Sequence, residues 1–145
     1  MSERQFHIQC TAEDIGKYVF LPGDPGRTEW IASYLEHPVK TAQNREFTTW
    51  TGTLDGTKVS VTSTGIGGPS AAIAMEELAA LGAHTFLRIG TCGGMQPELI
   101  PGTLIIPPVL SAWRNIAGIR SPGISGCPGL RSDTASGLRR TGACI

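Results

Sequence analysis

The chain has 145 residues and no net formal charge, with 40% hydrophobic and 17% charged residues. These are globular values for a single domain, and the neutral balance removes a general electrostatic case for nucleic-acid binding. No apolar run reaches 18 residues and the first ten residues lack the apolar centre of a signal peptide, so a soluble, cytoplasmic protein with no membrane partner is expected.

Lys17–Leu21 predicts a first buried strand ending in the rigid turn Pro22-Gly23-Asp24-Pro25-Gly26. Pro25 suits the first position of a helix with Asp24 as its N-cap. Trp30, Ile31, Tyr34 and Leu35 then form a core-facing stripe through His37. Gly23 and Arg27 at the mouth of this strand-turn-helix suit an anion, while a solvated Arg27 is the plainer alternative. Arg45 to Gly65 predicts a hairpin turning at Asp55-Gly56, with Val59 and Val61 on the return strand. Gly65-Ile66-Gly67-Gly68-Pro69-Ser70 opens a helix over Ser70–Leu81, closed by Gly82. Its buried face is Ala71, Ala74, Met75, Leu78 and Leu81, with Glu76 and Glu77 outward. This loop carries two glycines of a dinucleotide fingerprint but has Ser70 in place of the third, which is a weak match.

His84 to Gly94 is the most informative stretch. Phe86, Leu87 and Ile89 form the body of a short buried strand that runs into the glycines 90, 93 and 94. Arg88 interrupts it. A guanidinium in an apolar strand is costly to desolvate unless an anion meets it, and Thr91 adds a hydroxyl at the strand's mouth. The anion is either an oxyanion such as phosphate or a buried carboxylate of the chain itself. Gly102 to Ile106 begins a further strand.

The pattern then stops. Residues 1–106 carry 7 Lys+Arg against 11 Asp+Glu, a net of −4, and residues 107–145 carry 5 against 1, a net of +4. All five basic residues of the second part are Arg, and it holds six Gly, four Pro and five Ser without sustained periodicity. Cys10, Cys92, Cys127 and Cys144 show no metal-ligand spacing, so reduced thiols are the simpler reading.

Four separated motifs, P-G-D-P-G-R (22–27), N-R-E-F-T-T-W (44–50), S-T-G-I-G-G-P-S (63–70) and F-L-R-I-G-T-C-G-G (86–94), together with Phe6 and His7, resemble the uridine-cleaving branch of the hexameric nucleoside phosphorylase family over residues 5 to about 106. The resemblance implies an α/β, three-layer fold with a mixed central sheet, here partial and truncated. It implies pentosyl transfer by phosphorolysis of uridine to uracil and ribose 1-phosphate, in nucleoside catabolism and pyrimidine salvage. Phosphate is the co-substrate and no organic cofactor is needed. Carried over residue by residue, phosphate binding falls on Gly23, Arg27, Arg88 and Thr91, with Arg45 supplied by a neighbouring subunit of a homo-oligomer. Arg88 and Thr91 are the residues closest to catalysis. His7 matches the ribose-binding histidine that reaches across the dimer. Glu46, Ile66 through its carbonyl, and Ser70 match a monovalent-cation site for an ion such as K+. Cys92 stands where Thr or Ser is common in the family.

After Ile106 the resemblance ends. The family's T-G-A-V-R, its Phe, Gln and Arg uracil pocket and its ribose-gripping Glu-Met-Glu segment do not occur. Residues 107–145 read as an aberrant, disordered tail translated out of frame: shifted frames permit T-G-A-V-R-L over Pro107–Trp113 and Y-A-P-x-E-F-P-A-V-x-D-F over Ile119–Leu130. A natural low-complexity tail is the competing explanation. The expectation is a phosphorylase fragment that is inactive alone, and the alternative is a non-catalytic phosphate- or nucleotide-binding fragment or partner subunit.

Overall fold

The computed structural model describes residues 3–93, 97 and 99–106. The tail at 107–145 with its two shifted-frame segments lies outside the described residues, as does Gly94. The chain divides into two compact units, Met1–Gly90 and Thr91–Ile145.

The first unit is α/β. Its elements are β1 (Tyr18–Pro22), α1 (Gly26–Ala32), β2 (Glu36–Asn44), β3 (Phe47–Leu54), β4 (Thr57–Thr62), α2 (Gly68–Ala80) and β5 (Thr85–Ile89). They build one mixed sheet in the order β2-β3-β4-β1-β5. β2, β3 and β4 are antiparallel neighbours, whereas β1 lies parallel to both β4 and β5. The β3–β4 hairpin turns at Asp55-Gly56, both left-handed at φ 49° and 73°, as a tight two-residue hairpin requires.

Successive residues of β1 point to opposite faces and feed two cores. Val19 and Leu21 join Ile8, Cys10, Ile15, Phe47 and the α2 residues Ala74 and Leu78. Phe20 packs on the other side, with Ile31, Ala32, Leu35, Val59 and Val61. Helices α1 and α2 therefore cover opposite faces, which gives the three layers expected. Two buried hydroxyl pairs sit directly opposite in the β3–β4 register: Thr49 with Thr62 at 3.1 Å and Thr51 with Ser60 at 2.7 Å. Cross-strand partners of this kind satisfy polar groups that burial would otherwise leave unpaired.

Several local expectations are corrected. The stripe through His37 does not form, because α1 ends at Ala32. Ile31 and Leu35 are buried, but Trp30 and Tyr34 are exposed and stack edge-to-face on each other at 5.6 Å. Strand β2 follows at once; it lies at the sheet edge and is mostly exposed, so its sequence carries no alternation to detect, and its Pro38 falls in the register shift between Glu36 and Val39, where an edge strand needs no ladder N–H. β5 is not a buried strand either: it forms the other edge, with Leu87 and Arg88 exposed and Phe86 and Ile89 half-buried. Asp24 acts one residue away from its expected place. The N-cap position is Pro25, and Asp24 Oδ1 accepts the Gly26 N–H at 2.9 Å.

In the second unit no helix or strand occurs among the described residues. The strand expected from Gly102 is replaced by a turn: the N–H and hydroxyl of Thr103 both donate to the Ile100 carbonyl, at 3.1 and 2.8 Å. A strand is held by its ladder partner, and among the described residues 103–106 have none.

The N-terminal segment closes the first core at Gly16. Its N–H donates to Ser60 Oγ at 2.9 Å, and a Cβ here would come within 2.2 Å of the Lys58 carbonyl oxygen. That obstacle is backbone and cannot swing aside. Gly16→Ala is expected to lower stability by about 1–3 kcal/mol or more, read as a reduced urea midpoint. An unchanged midpoint would show that this approach is not tight in solution.

Candidate anion and sugar site

β1 and β4 are parallel neighbours whose following helices leave to opposite faces of the sheet. In an open α/β sheet, such a pair opens a crevice at the carboxyl ends of its strands. The backbone of the two loops is laced together there: Thr64 N–H donates to Pro22 O and Gly65 N–H to Gly23 O, each at 2.9 Å. Gly65 has φ of 67°, and a Cβ on it would lie 2.6 Å from Glu46 Cγ, so both conformation and space demand glycine.

Arg88 is in register with Leu21, next to this crevice. Its Nη1 donates to the carbonyls of Leu21, at 3.0 Å, and Ile89, at 2.5 Å. Nη2 lies against Gly23, 3.0 Å from where a Cβ would stand. The buried-carboxylate alternative is not met, for among the described residues Arg88 has no acidic partner. One arm of the guanidinium is thus fixed by carbonyls while Nη2 and Nε keep donors for a ligand. Gly23 and Arg88 are brought together as expected. Arg27 stands half-buried in the first turn of α1, and among the described residues its side chain has no hydrogen bond or ion pair. Thr91 and Cys92 are exposed and belong to the second unit.

The other expected residues gather around α2. Ser70 Oγ lies 2.8 Å from Glu46 Oε1 and 2.6 Å from Thr64 O, while Ser63 donates to Glu46 O at 2.5 Å. Its own backbone N–H, and next the Ser70 hydroxyl, hold the Glu46 carboxyl below the usual carboxylate range. Ile66 is fully exposed. The donors assembled at Glu46 and Ser70 are all oxygens with a single carboxylate, a set that suits a hard cation of low charge. Arg45, in the two-residue turn between the paired Asn44 and Phe47, is exposed with φ of 51°, the left-handed backbone such a tight turn uses.

His7 is firmly held. Its Nδ1 lies 2.6 Å from Glu77 Oε1, its N–H meets Glu77 Oε1 and Oε2 at 3.1 and 3.0 Å, and Ile8 N–H donates to Oε2 at 2.9 Å. Glu77, expected to face outward, instead turns to the N-terminal segment. This is the site residue that sequence reasoning missed, because its partners lie some seventy positions away and no local pattern records them. Partial burial pushes the Glu77 carboxyl up, but the N–H groups of Ile8 and His7 and the His7 ring outweigh it and bring it below the ordinary value. At Cys10, burial pushes the thiol up, and the group is packed as core rather than poised for chemistry.

A depressed folded-state pKa makes the Glu77 contribution complete above the unfolded value of about 4.3 and lost as pH falls through the folded one. Urea midpoints should therefore drop between about pH 5 and pH 3, and Glu77→Gln should flatten part of that drop. An identical acid slope in the variant would contradict the anchoring role.

A family model described as the Phosphorylase superfamily matches residues 17–118, beyond Ile106. Over 102 residues, 70% of this chain, the sequence is 61% identical to uridine phosphorylase of Treponema pallidum (strain Nichols), covering 40% of that protein. It is 53% identical over 102 residues to uridine phosphorylase of Thermococcus kodakarensis, covering 70% of this chain and 37% of that protein. Against uridine phosphorylase of Escherichia coli (strain K12) it is 52% identical over 103 residues, covering 70% and 41%. The chain spans about two fifths of the length of the curated relatives it matches.

Proposed function

The chain belongs to the Phosphorylase superfamily, and from that premise we propose that it carries the phosphate-binding part of a uridine phosphorylase. The observation that carries this reading is the Arg88 guanidinium, pinned by Nη1 to the Leu21 and Ile89 carbonyls and free of any acidic partner among the described residues. Phosphate takes the remaining Nη2–H and Nε–H of Arg88 in a bidentate pair, with Gly23 allowing close approach and Arg27 adding charge. Arg45 completes the site from a neighbouring subunit of a homo-oligomer, in accord with its exposed place at the tip of the β2–β3 turn. His7 binds ribose, and Glu46, the Ile66 carbonyl and Ser70 hold a monovalent cation.

In the whole reaction a phosphate oxygen forms the bond to C1′ of uridine as the bond from C1′ to N1 of uracil breaks. Ribose 1-phosphate and uracil are the products. Negative charge held at Arg88 faces a sugar that becomes oxocarbenium-like, so Arg88 positions the nucleophile. The setting is cytoplasmic, in line with the free thiols of Cys10 and Cys92. The proposed boundary of the phosphorylase part is Ile106, short of the end of the family match at residue 118, with 107–145 read out of frame; the uracil- and ribose-gripping motifs are absent from those residues.

The 145-residue chain is expected to bind inorganic phosphate in a calorimetric titration without releasing measurable uracil from uridine. Catalysis needs both substrates oriented together, a contribution of about 7–11 kcal/mol. Arg88→Ala should weaken phosphate binding by about 10–100-fold, the worth of a charge-assisted hydrogen bond. Arg88→Lys should be nearly as weak, since an ammonium lacks the planar fork. Phosphate binding that survives Arg88→Ala would refute the assignment, and uracil release by this chain would refute the account of its missing half-site.

A further inference from the structure

The carboxylate of Glu77 accepts three contacts from main-chain N–H groups that can only donate: His7 to both oxygens and Ile8 to Oε2. A carboxyl group engaged in this way is favoured in its ionised form, which can only accept. The 2.6 Å contact between Oε1 and His7 Nδ1 then requires the hydrogen to sit on Nδ1. The rest of the residue is equally constrained. Asn44 Nδ2 donates to the His7 carbonyl at 2.7 Å, and the ring stands edge-to-face with Phe6 at 4.9 Å and Phe47 at 6.5 Å. Among the described residues only Nε2 is left without a partner, on a side chain that keeps 32% of its surface exposed.

We propose that Glu77 is a positioning residue that fixes neutral His7 as its Nδ1–H tautomer, so that Nε2 is presented as a bare acceptor for a ligand hydroxyl. The bond made at one imidazole nitrogen decides what the other can offer. A free imidazole favours hydrogen on Nε2, which would present a donor and leave the Glu77 contact unmade. With Nδ1–H held, Nε2 accepts a hydrogen bond from an alcohol O–H and directs that oxygen's lone pairs elsewhere. For the neutral ring the tautomer follows from its contact with the ionised Glu77 carboxylate; that the hydroxyl belongs to a sugar rests on the reading given under Proposed function.

The full 145-residue chain, labelled with 15N-histidine, is examined by two-bond proton–nitrogen correlation at alkaline pH, where imidazoles are neutral. The His7 pattern is identified by its loss in His7→Gln. Nδ1 is expected in the protonated range and Nε2 in the unprotonated range. Glu77→Gln keeps an acceptor oxygen for the His7 and Ile8 N–H groups but offers its NH2 to Nδ1, so the two nitrogen resonances should exchange ranges. Glu77→Asp, which keeps the carboxylate, should restore at least part of the Nδ1–H population. A native chain with hydrogen on Nε2, or a Glu77→Gln chain that keeps it on Nδ1, would overturn the proposal. Phosphate binding at Arg88 is read in a separate titration, so failure of the phosphorylase reading and failure of this assignment are distinguishable.

Discussion

Two adjacent parallel strands with connections leaving to opposite faces are the constraint on which the rest of this molecule depends. α1 after β1 and α2 after β4 cannot both lie on one side, since Val19 and Leu21 are committed to one core and Phe20 to the other. The loops part at the strand ends, and the Pro22–Thr64 and Gly23–Gly65 backbone bonds set the depth at which they do so. Glycine at 23 lets the Arg88 head lie against the β1 loop, and glycine at 65 lets the Glu46 stem pass over it. A side chain at either place would displace a charged group from the mouth of the crevice.

Helix α2 is the second organiser. Ser70 and Glu77 are seven residues apart, close to two turns, so they leave the helix on the same side. One meets Glu46 at the β2–β3 turn and the other meets His7 and Ile8 in the N-terminal segment. Asn44, the last residue of β2, adds a bond to the His7 carbonyl. A polar seam between helix, turn and terminal segment therefore fixes the expected cation and sugar residues together. Its bonds to the Glu46 and Glu77 carboxylates involve charged groups, which are worth more than neutral ones and cost more when one partner is removed.

Much was legible in the residues themselves. Turn chemistry at Asp55-Gly56, the glycine-rich loop opening α2, and the strand before Pro22 depend on neighbours a few positions apart, so local reading finds them. The pairing of Gly23 with Arg88 was anticipated only through the family resemblance, which set both in one phosphate site. The amphipathic stripe through His37 failed for a different reason: four apolar residues near helical spacing do not extend α1 past Ala32 when Ile31 and Leu35 are buried by its last turn and the bend after it.

What the sequence by itself determined was the set of elements whose periodicity or turn residues carry their own signal, and the chemistry of the loop residues. Only the tertiary structure decided the edges and the partners. β2 is visible only through its ladder, and β5, marked as a strand by its apolar residues, is shown to be an exposed edge rather than a buried centre. The pinning of Arg88 by the Leu21 carbonyl and the capture of His7 by Glu77 are contacts between residues 67 or more positions apart. Such pairings are selected by burial and hydrogen-bond satisfaction across the whole unit, and no local stretch of the chain contains that information.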